Sequence, residues 1–284
     1  MSPPRDAAGQ ELAQHAFALL REGLEGDRAS MNAFVDLFAE DATLWLPPTP
    51  NTHSPYRGRE AIRGLLVDFV IPLYRDGLHV TLFQMLAGDG RWLFQFEDRG
   101  ERAVDGSDYE NSPVIVLATS QGAITGFWEY WGGPRFFRGR FDGSGARGGV
   151  DARAHAVARD AFAELQAGLR GDAPAMDRFL ERFADGARLW FPPTPNTRSP
   201  YIGRDAAAKL FRELLVPMYP DGLHVTCHHV LPGGTRTAFE LSSHGRRRDG
   251  TAYVNSPCLC FDVKQGRIET LWEHWGGPGF HGPA

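Results

Sequence analysis

Lysine is almost missing from this 284-residue sequence: it occurs only as Lys209 and Lys264, which leaves few amines for a Schiff-base mechanism. Cysteine is scarce too. Cys227, Cys258 and Cys260 are odd in number and fall late in the chain, which reads as reduced cytoplasmic thiols rather than a disulfide framework. No run of about 18 apolar residues occurs, so no membrane span is expected. The opening Met1-Ser2-Pro3-Pro4-Arg5-Asp6 lacks the charged-then-apolar pattern of a signal peptide. Neither sign of charge dominates: 30 Lys+Arg against 35 Asp+Glu leave a net charge of −5, so no basic footprint argues for nucleic acid. No Gly-rich phosphate loop follows a strand and no Gly-x-Ser-x-Gly elbow exists. His228 and His229 are adjacent and face opposite ways on a strand, a poor metal pair. Neither a cofactor nor a metal is expected.

What is present is a sequence written twice. Trp45-Leu46-Pro47-Pro48-Thr49-Pro50-Asn51-Thr52 recurs 145 residues later as Trp190-Phe191-Pro192-Pro193-Thr194-Pro195-Asn196-Thr197. Ser54-Pro55-Tyr56 returns as Ser199-Pro200-Tyr201, and Asp76-Gly77-Leu78-His79-Val80-Thr81 as Asp221-Gly222-Leu223-His224-Val225-Thr226. Asn111-Ser112-Pro113 and Trp128-Glu129 return as Asn255-Ser256-Pro257 and Trp272-Glu273, after one deletion. The period is far longer than that of a solenoid. The sequence therefore predicts two homologous domains, 1–137 and 152–284, joined by a Gly/Arg-rich linker over 138–151.

In the first copy, helical spacing predicts helices over 10–23, 29–38 and 58–74, the last broken near its end by Pro72. A strand over 41–46 ends at two prolines, and strands over 78–85, 91–97, 109–118 and 123–130 follow. The second copy repeats the plan, with helices near 152–169, 175–183 and 203–218. Three helices with one strand among them, then a run of strands, is an α+β pattern: helices on one face of a curved, mostly antiparallel sheet, around an apolar cavity.

The later strands carry Tyr109-Glu110-Asn111, Gly122-Ala123-Ile124 and Glu129-Tyr130-Trp131, then Tyr253-Val254-Asn255, Gly266-Arg267-Ile268 and Glu273-His274-Trp275. On these residues each copy resembles the SnoaL-like group of the nuclear-transport-factor-2-like fold. The resemblance implies two tandem cone domains. Ser54-Pro55, Gly58-Arg59-Glu60, Tyr109-Glu110-Asn111 and Glu129 are also similar to the phenazine-biosynthesis A/B family. That family's acid/base glutamate falls on Glu129 and Glu273. Its helix-three histidine falls near Leu65 and Leu210 and is absent, and its loop aspartate has no counterpart among the prolines.

Period-two alternation puts Phe127, Glu129 and Trp131 on one strand face, and Leu271, Glu273 and Trp275 on its repeat. A carboxyl desolvated among aromatics titrates closer to neutrality, where it serves as general acid or base. Glu129 and Glu273 are thus the leading catalytic candidates. His79 and His224 are natural proton carriers, although the alternation turns them away from Leu78 and Val80. Gln95 aligns with Glu240, which predicts a carboxylate pair with Glu273 and a better-equipped second copy. Asn51, Thr52, Asn196 and Thr197, on a proline-stiffened loop, are candidate rim residues, with Tyr56 and Tyr201 nearby. Trp45, Trp190, Trp131 and Trp275 are candidate walls. Tyr109, Asn111, Tyr253 and Asn255 are candidate ligand contacts.

These readings predict a cofactor-independent enzyme. It would cyclise, condense, isomerise or dehydrate a small aromatic or polyketide-like intermediate of secondary metabolism by acid–base catalysis. The alternatives are an epoxide hydrolase or epoxide-opening cyclase, and a non-catalytic small-molecule binding or resistance protein. The expected partners are a small-molecule substrate and, through tandem linkage, an internal pseudo-dimer, with a further homodimer also open.

Overall fold

The computed structural model describes residues 6–137, 149–194 and 197–281. The chain divides into two compact units, Met1–Gly143 and Ser144–Ala284. Most of the expected linker, residues 138–148, lies outside the described residues, as does Asn196.

Unit one begins with α1 (Ala7–Leu24) and α2 (Arg28–Asp36), each started by an aspartate whose carboxylate accepts a backbone N–H of the first turn: Asp6 from Gly9, Asp27 from Ala29. The strands are β1 (Phe38–Trp45), β2 (Tyr56–Arg57), β3 (Tyr74–Gly88), β4 (Arg91–Arg102), β5 (Asp108–Asn111), β6 (Val114–Ser120) and β7 (Ala123–Tyr130). They form one sheet in the order β2-β1-β7-β6-β4-β3, with β5 added on β4. Only the β1–β7 pair is parallel.

Unit two repeats this with α4 (Ala152–Leu169), α5 (Ala173–Glu181), β8 (Phe183–Trp190), β9 (Tyr201–Ile202), β10 (Leu223–Gly233), β11 (Arg236–Arg246), β12 (Ala252–Asn255), β13 (Pro257–Lys264) and β14 (Arg267–Trp275). Its sheet runs β10-β11-β13-β14-β8-β9, with β12 on β11. Asp151 and Asp172 cap its first two helices. The expected α+β architecture is the one observed: in each unit the first helix lies on one sheet face. Phe17 of α1 stacks on Phe94 of β4 at 4.6 Å, and Phe162 of α4 on Phe239 of β11 at 4.5 Å.

Three details differ from the sequence reading. The third helix of each unit is composite. In unit one α3 (Arg59–Arg63) passes into a π-helical stretch, Gly64–Val70, and then a 3-10 turn, Ile71–Leu73, that contains Pro72. In unit two α6 (Arg204–Lys209) passes into a π-helical stretch, Leu210–Leu215, and then α7 (Val216–Met218). The strand expected over 109–118 is two strands, because Pro113 has no N–H to donate to a ladder. β3 and β4 are longer than expected. Their hairpin turns at Asp89-Gly90, where both φ angles are positive, as a tight two-residue hairpin requires.

Candidate active site

The sheet face that meets the helices is hollow. In unit two it carries a cavity of about 80 Å³, lined by Phe162 and Leu165 of α4, Phe211 and Leu215 of the π-helical stretch, Phe191, Leu241, Leu271, Tyr219, Tyr253, Ser243 and Glu273. That volume holds several water molecules or a small organic group. The register explains who points inward: Val225 opposes Ser243, and Leu259 opposes Glu273, so each pair shares the cavity face.

Glu273 is the one acidic residue of this lining. Burial among apolar side chains pushes its carboxyl up to about 7, partly offset by a 2.7 Å hydrogen bond from the Trp275 indole N–H to Oε1. Unit one repeats the arrangement. Glu129 accepts from Trp131 Nε1 at 2.6 Å, and burial again pushes its carboxyl up to about 7. Trp131 and Trp275 therefore act as hydrogen-bond donors to the glutamates rather than as plain walls.

Tyrosines flank each glutamate. Tyr74 and Tyr109 lie with ring centroids 4.9 Å apart, Tyr219 and Tyr253 with theirs 5.2 Å apart. Burial raises all four phenols, Tyr74 to about 12, so they stay protonated donors at neutral pH. Arg102 lies over the Tyr109 ring at 5.3 Å and Arg247 over Tyr253 at 5.0 Å. Asn255 donates to the Tyr253 hydroxyl at 3.3 Å, while its own Oδ1 accepts from Ser256 N–H. Asn111 is buried on β5, opposite Asp98.

Other candidates fall elsewhere. His79 and His224 are exposed and on the face away from the cavity; His224 stacks on His244 with ring centroids at 5.1 Å. Glu240 is buried, but its side chain shares a face with Cys258 and His229 across the register, opposite to Leu241 and Ser243. The expected Glu240–Glu273 pair is thus excluded by period-two alternation, and Gln95 lies on the same outward face of unit one. Trp45 and Trp190 pair in register with Trp128 and Trp272, off the cavity side; the wall residue is the next one along, Phe191 in unit two.

The proline loop also differs from a ligand-binding rim. Thr52 Oγ1 donates to the Pro47 carbonyl at 3.1 Å and accepts from Thr49 N–H, and Thr197 does the same with Pro192 and Thr194. Asn51 is exposed, and the hydroxyls of Tyr56 and Tyr201 accept from His53 N–H and Arg198 N–H. The loop spends its polar groups on itself. What it does for the site is indirect: Ser199 Oγ bonds both the N–H and the carbonyl of Phe191, fixing that wall residue.

Sequence reasoning missed Tyr74 and Tyr219, although they repeat at the same offset of 145 as the other motifs. It also missed Asp98, for the opposite reason: its counterpart is Ser243, so no repeat drew attention to it.

An α+β unit with a helix-covered sheet and one carboxyl in an apolar hollow defines a small-ligand domain. Residues 158–270, within the second unit, match the family model of a SnoaL-like domain, and the first unit repeats that unit's motifs and strand order. No curated protein matches the chain. Among solved structures, an NTF2-like protein from Anabaena variabilis is 22% identical, with 46% of this chain and 95% of that one covered and a TM-score of 0.42. The epoxide hydrolase/cyclase-like enzyme SalBIII of salinomycin pyran ring formation is 20% identical, covering 43% and 92%, at a TM-score of 0.36. A Mycobacterium tuberculosis protein in complex with estradiol-17beta-hemisuccinate is 20% identical, covering 44% and 93%, also at 0.36. Among the described residues no helix is long and apolar enough to cross a membrane.

Proposed function

We propose that the chain is a cofactor-independent acid–base enzyme of the isomerase or cyclase type, acting on a small aromatic or polyketide-like molecule. The match to a SnoaL-like domain supports an isomerase, cyclase or small-molecule-binding role in general. The observation that carries the narrower reading is a carboxyl displaced to about 7 and facing an apolar cavity, Glu273, with Glu129 as its repeat. Such a group is both a usable acid and a usable base at neutral pH. The tyrosines beside each glutamate supply hydrogen bonds to a ligand oxygen, and the Trp–Glu bond sets the carboxyl's direction.

The test is turnover of a panel of aromatic and polyketide-like ketones, enols and epoxides by Glu129→Gln, Glu273→Gln and the double variant. General acid–base loss predicts a fall of about 10²–10⁴-fold in the double variant. Turnover unchanged from the wild type in all three refutes the reading. Ligand binding that survives both changes, with no turnover of any panel member by the wild type, favours a binding protein instead.

The internal pseudo-dimer is likewise a proposal, carried by the duplication alone: linkage holds two copies at an effective concentration of about millimolar. Residues 1–137 expressed alone are expected to self-associate or precipitate, and a monodisperse monomer in sedimentation would refute it.

A further inference from the structure

We propose that Asp98 is a second catalytic carboxyl of unit one, a protonated acid on the same sheet face as the base Glu129, and that unit one alone acts on neutral substrates that need an acid and a base at once. This rests on the acid–base reading above.

Asp98 sits on β4, directly opposite Val80 of β3 and Asn111 of β5. Its counterpart Ser243, opposite Val225, lines the cavity of unit two. Phe94 and Phe96 share its strand face and pack on Phe17 of α1, so Asp98 points to the helix side, as Glu129 does. It is only 5% exposed, and its Oδ1 has no hydrogen-bond partner. Among the described residues no cation pairs with it.

The groups that act on Asp98 are few. Glu129 faces it from β7, and Glu97 adjoins it on β4, on the other face. Tyr74 comes from β3 and Tyr109 from β5, with Arg102 beyond them over the Tyr109 ring. Burial pushes the Asp98 carboxyl well above the usual range, and the Glu129 charge pushes it further. Two carboxylates sharing a dry site cannot both ionise cheaply, so one keeps its proton. Burial raises both, and the Glu129 charge raises Asp98 further, so Asp98 is the one that keeps it.

The step balances within the pair. Asp98 gives its proton to a ligand oxygen while the Glu129 carboxylate takes one from a C–H or O–H of the same ligand. The product has the formula of the substrate. The proton is then on Glu129 and the charge on Asp98; Glu129 gives its proton to water and Asp98 takes one from water, which restores both. Unit two, with Ser243 in this place, has one carboxyl and must return the same proton that it removes.

The test uses the full chain labelled with ¹³C at aspartate side-chain carboxyls, followed by NMR from acid to alkaline pH. One aspartate carbon is expected to titrate well above the others, to vanish in Asp98→Asn, and to move down by about one pH unit or more in Glu129→Gln. An Asp98 carbon that titrates with the surface aspartates, or that ignores Glu129→Gln, overturns the pair. On the substrate panel, Asp98→Ser, which copies the residue of unit two, is expected to lower kcat by about a hundredfold with little change in KM. Unchanged kcat overturns the catalytic role. Should Glu129→Gln, Glu273→Gln and the double variant all leave turnover intact, the acid–base reading fails, and the titration still decides whether Asp98 is held protonated beside Glu129.

Discussion

Glu129 and Glu273 owe their displaced titration to burial, and one bond each tempers it. The indole N–H of the tryptophan two residues on reaches back along the same strand face to Oε1. That bond favours the ionised carboxyl and holds it below the value burial alone would set. Trp275→Phe keeps the aromatic bulk and removes the donor. A hydrogen bond to a charged group contributes about 1.5–3 kcal/mol, so the Glu273 midpoint is expected to rise by about one unit or more. A ¹³C titration of the glutamate side chains reads this, and an unchanged midpoint would show the bond to be incidental. This pairing was half legible. Alternation put Glu and Trp on one face, but nothing in the sequence says that the indole turns to the carboxylate rather than to a ligand. The loop residues misled for a related reason. Thr52 and Thr197 are polar and stiffly held, yet a proline loop with few N–H groups of its own must satisfy its carbonyls locally, and these hydroxyls do that. Asp98 shows the complementary blind spot, since a search for what repeats passes over what has diverged.

At the scale of elements, the strands were the readable part. Their alternation follows from backbone geometry, and β7 runs over Ala123–Tyr130 as expected. The composite third helix was not readable, because Leu65, Leu66, Phe69 and their repeats suit an α-helix and a π-helix equally. That distinction shapes the cavity, since Phe211 and Leu215 line it from the π-helical stretch. The irregular start of β3 and the turn before β10 offer a comparison between copies. Gly77 and Gly222 both adopt left-handed φ, at 78° and 83°. A Cβ on Gly77 would meet the Glu25 carbonyl carbon at 2.5 Å, whereas one on Gly222 would meet Arg170 Cα at 3.1 Å. Both alanine variants carry the positive-φ cost of about 1 kcal/mol or more. Only the first also forces one backbone segment off another. Gly77→Ala is therefore expected to lower the melting temperature clearly more than Gly222→Ala. Equal losses would mean that the first turn yields without cost.

For the whole molecule, duplication was the strongest signal in the sequence, and it explains why two separate units carry nearly the same displaced glutamate. That has a thermodynamic consequence. Each glutamate titrates at about 7 when folded, against an ordinary value of 4.5. Between those values the folded chain holds more protons than the unfolded one, so stability falls as pH rises through this window and levels off above it. The largest loss is about 3 kcal/mol per unit above pH ~7. Glutamine is uncharged throughout, so Glu129→Gln and Glu273→Gln are expected to match the wild type near pH ~4.5 and to exceed it near pH ~8. The two units each have their own core and need not unfold together. Calorimetry that resolves two transitions should then show each substitution raising one of them, with the double variant raising both. A wild type and double variant that lose stability in parallel from acid to alkaline pH would show that neither carboxyl is held protonated by its cavity.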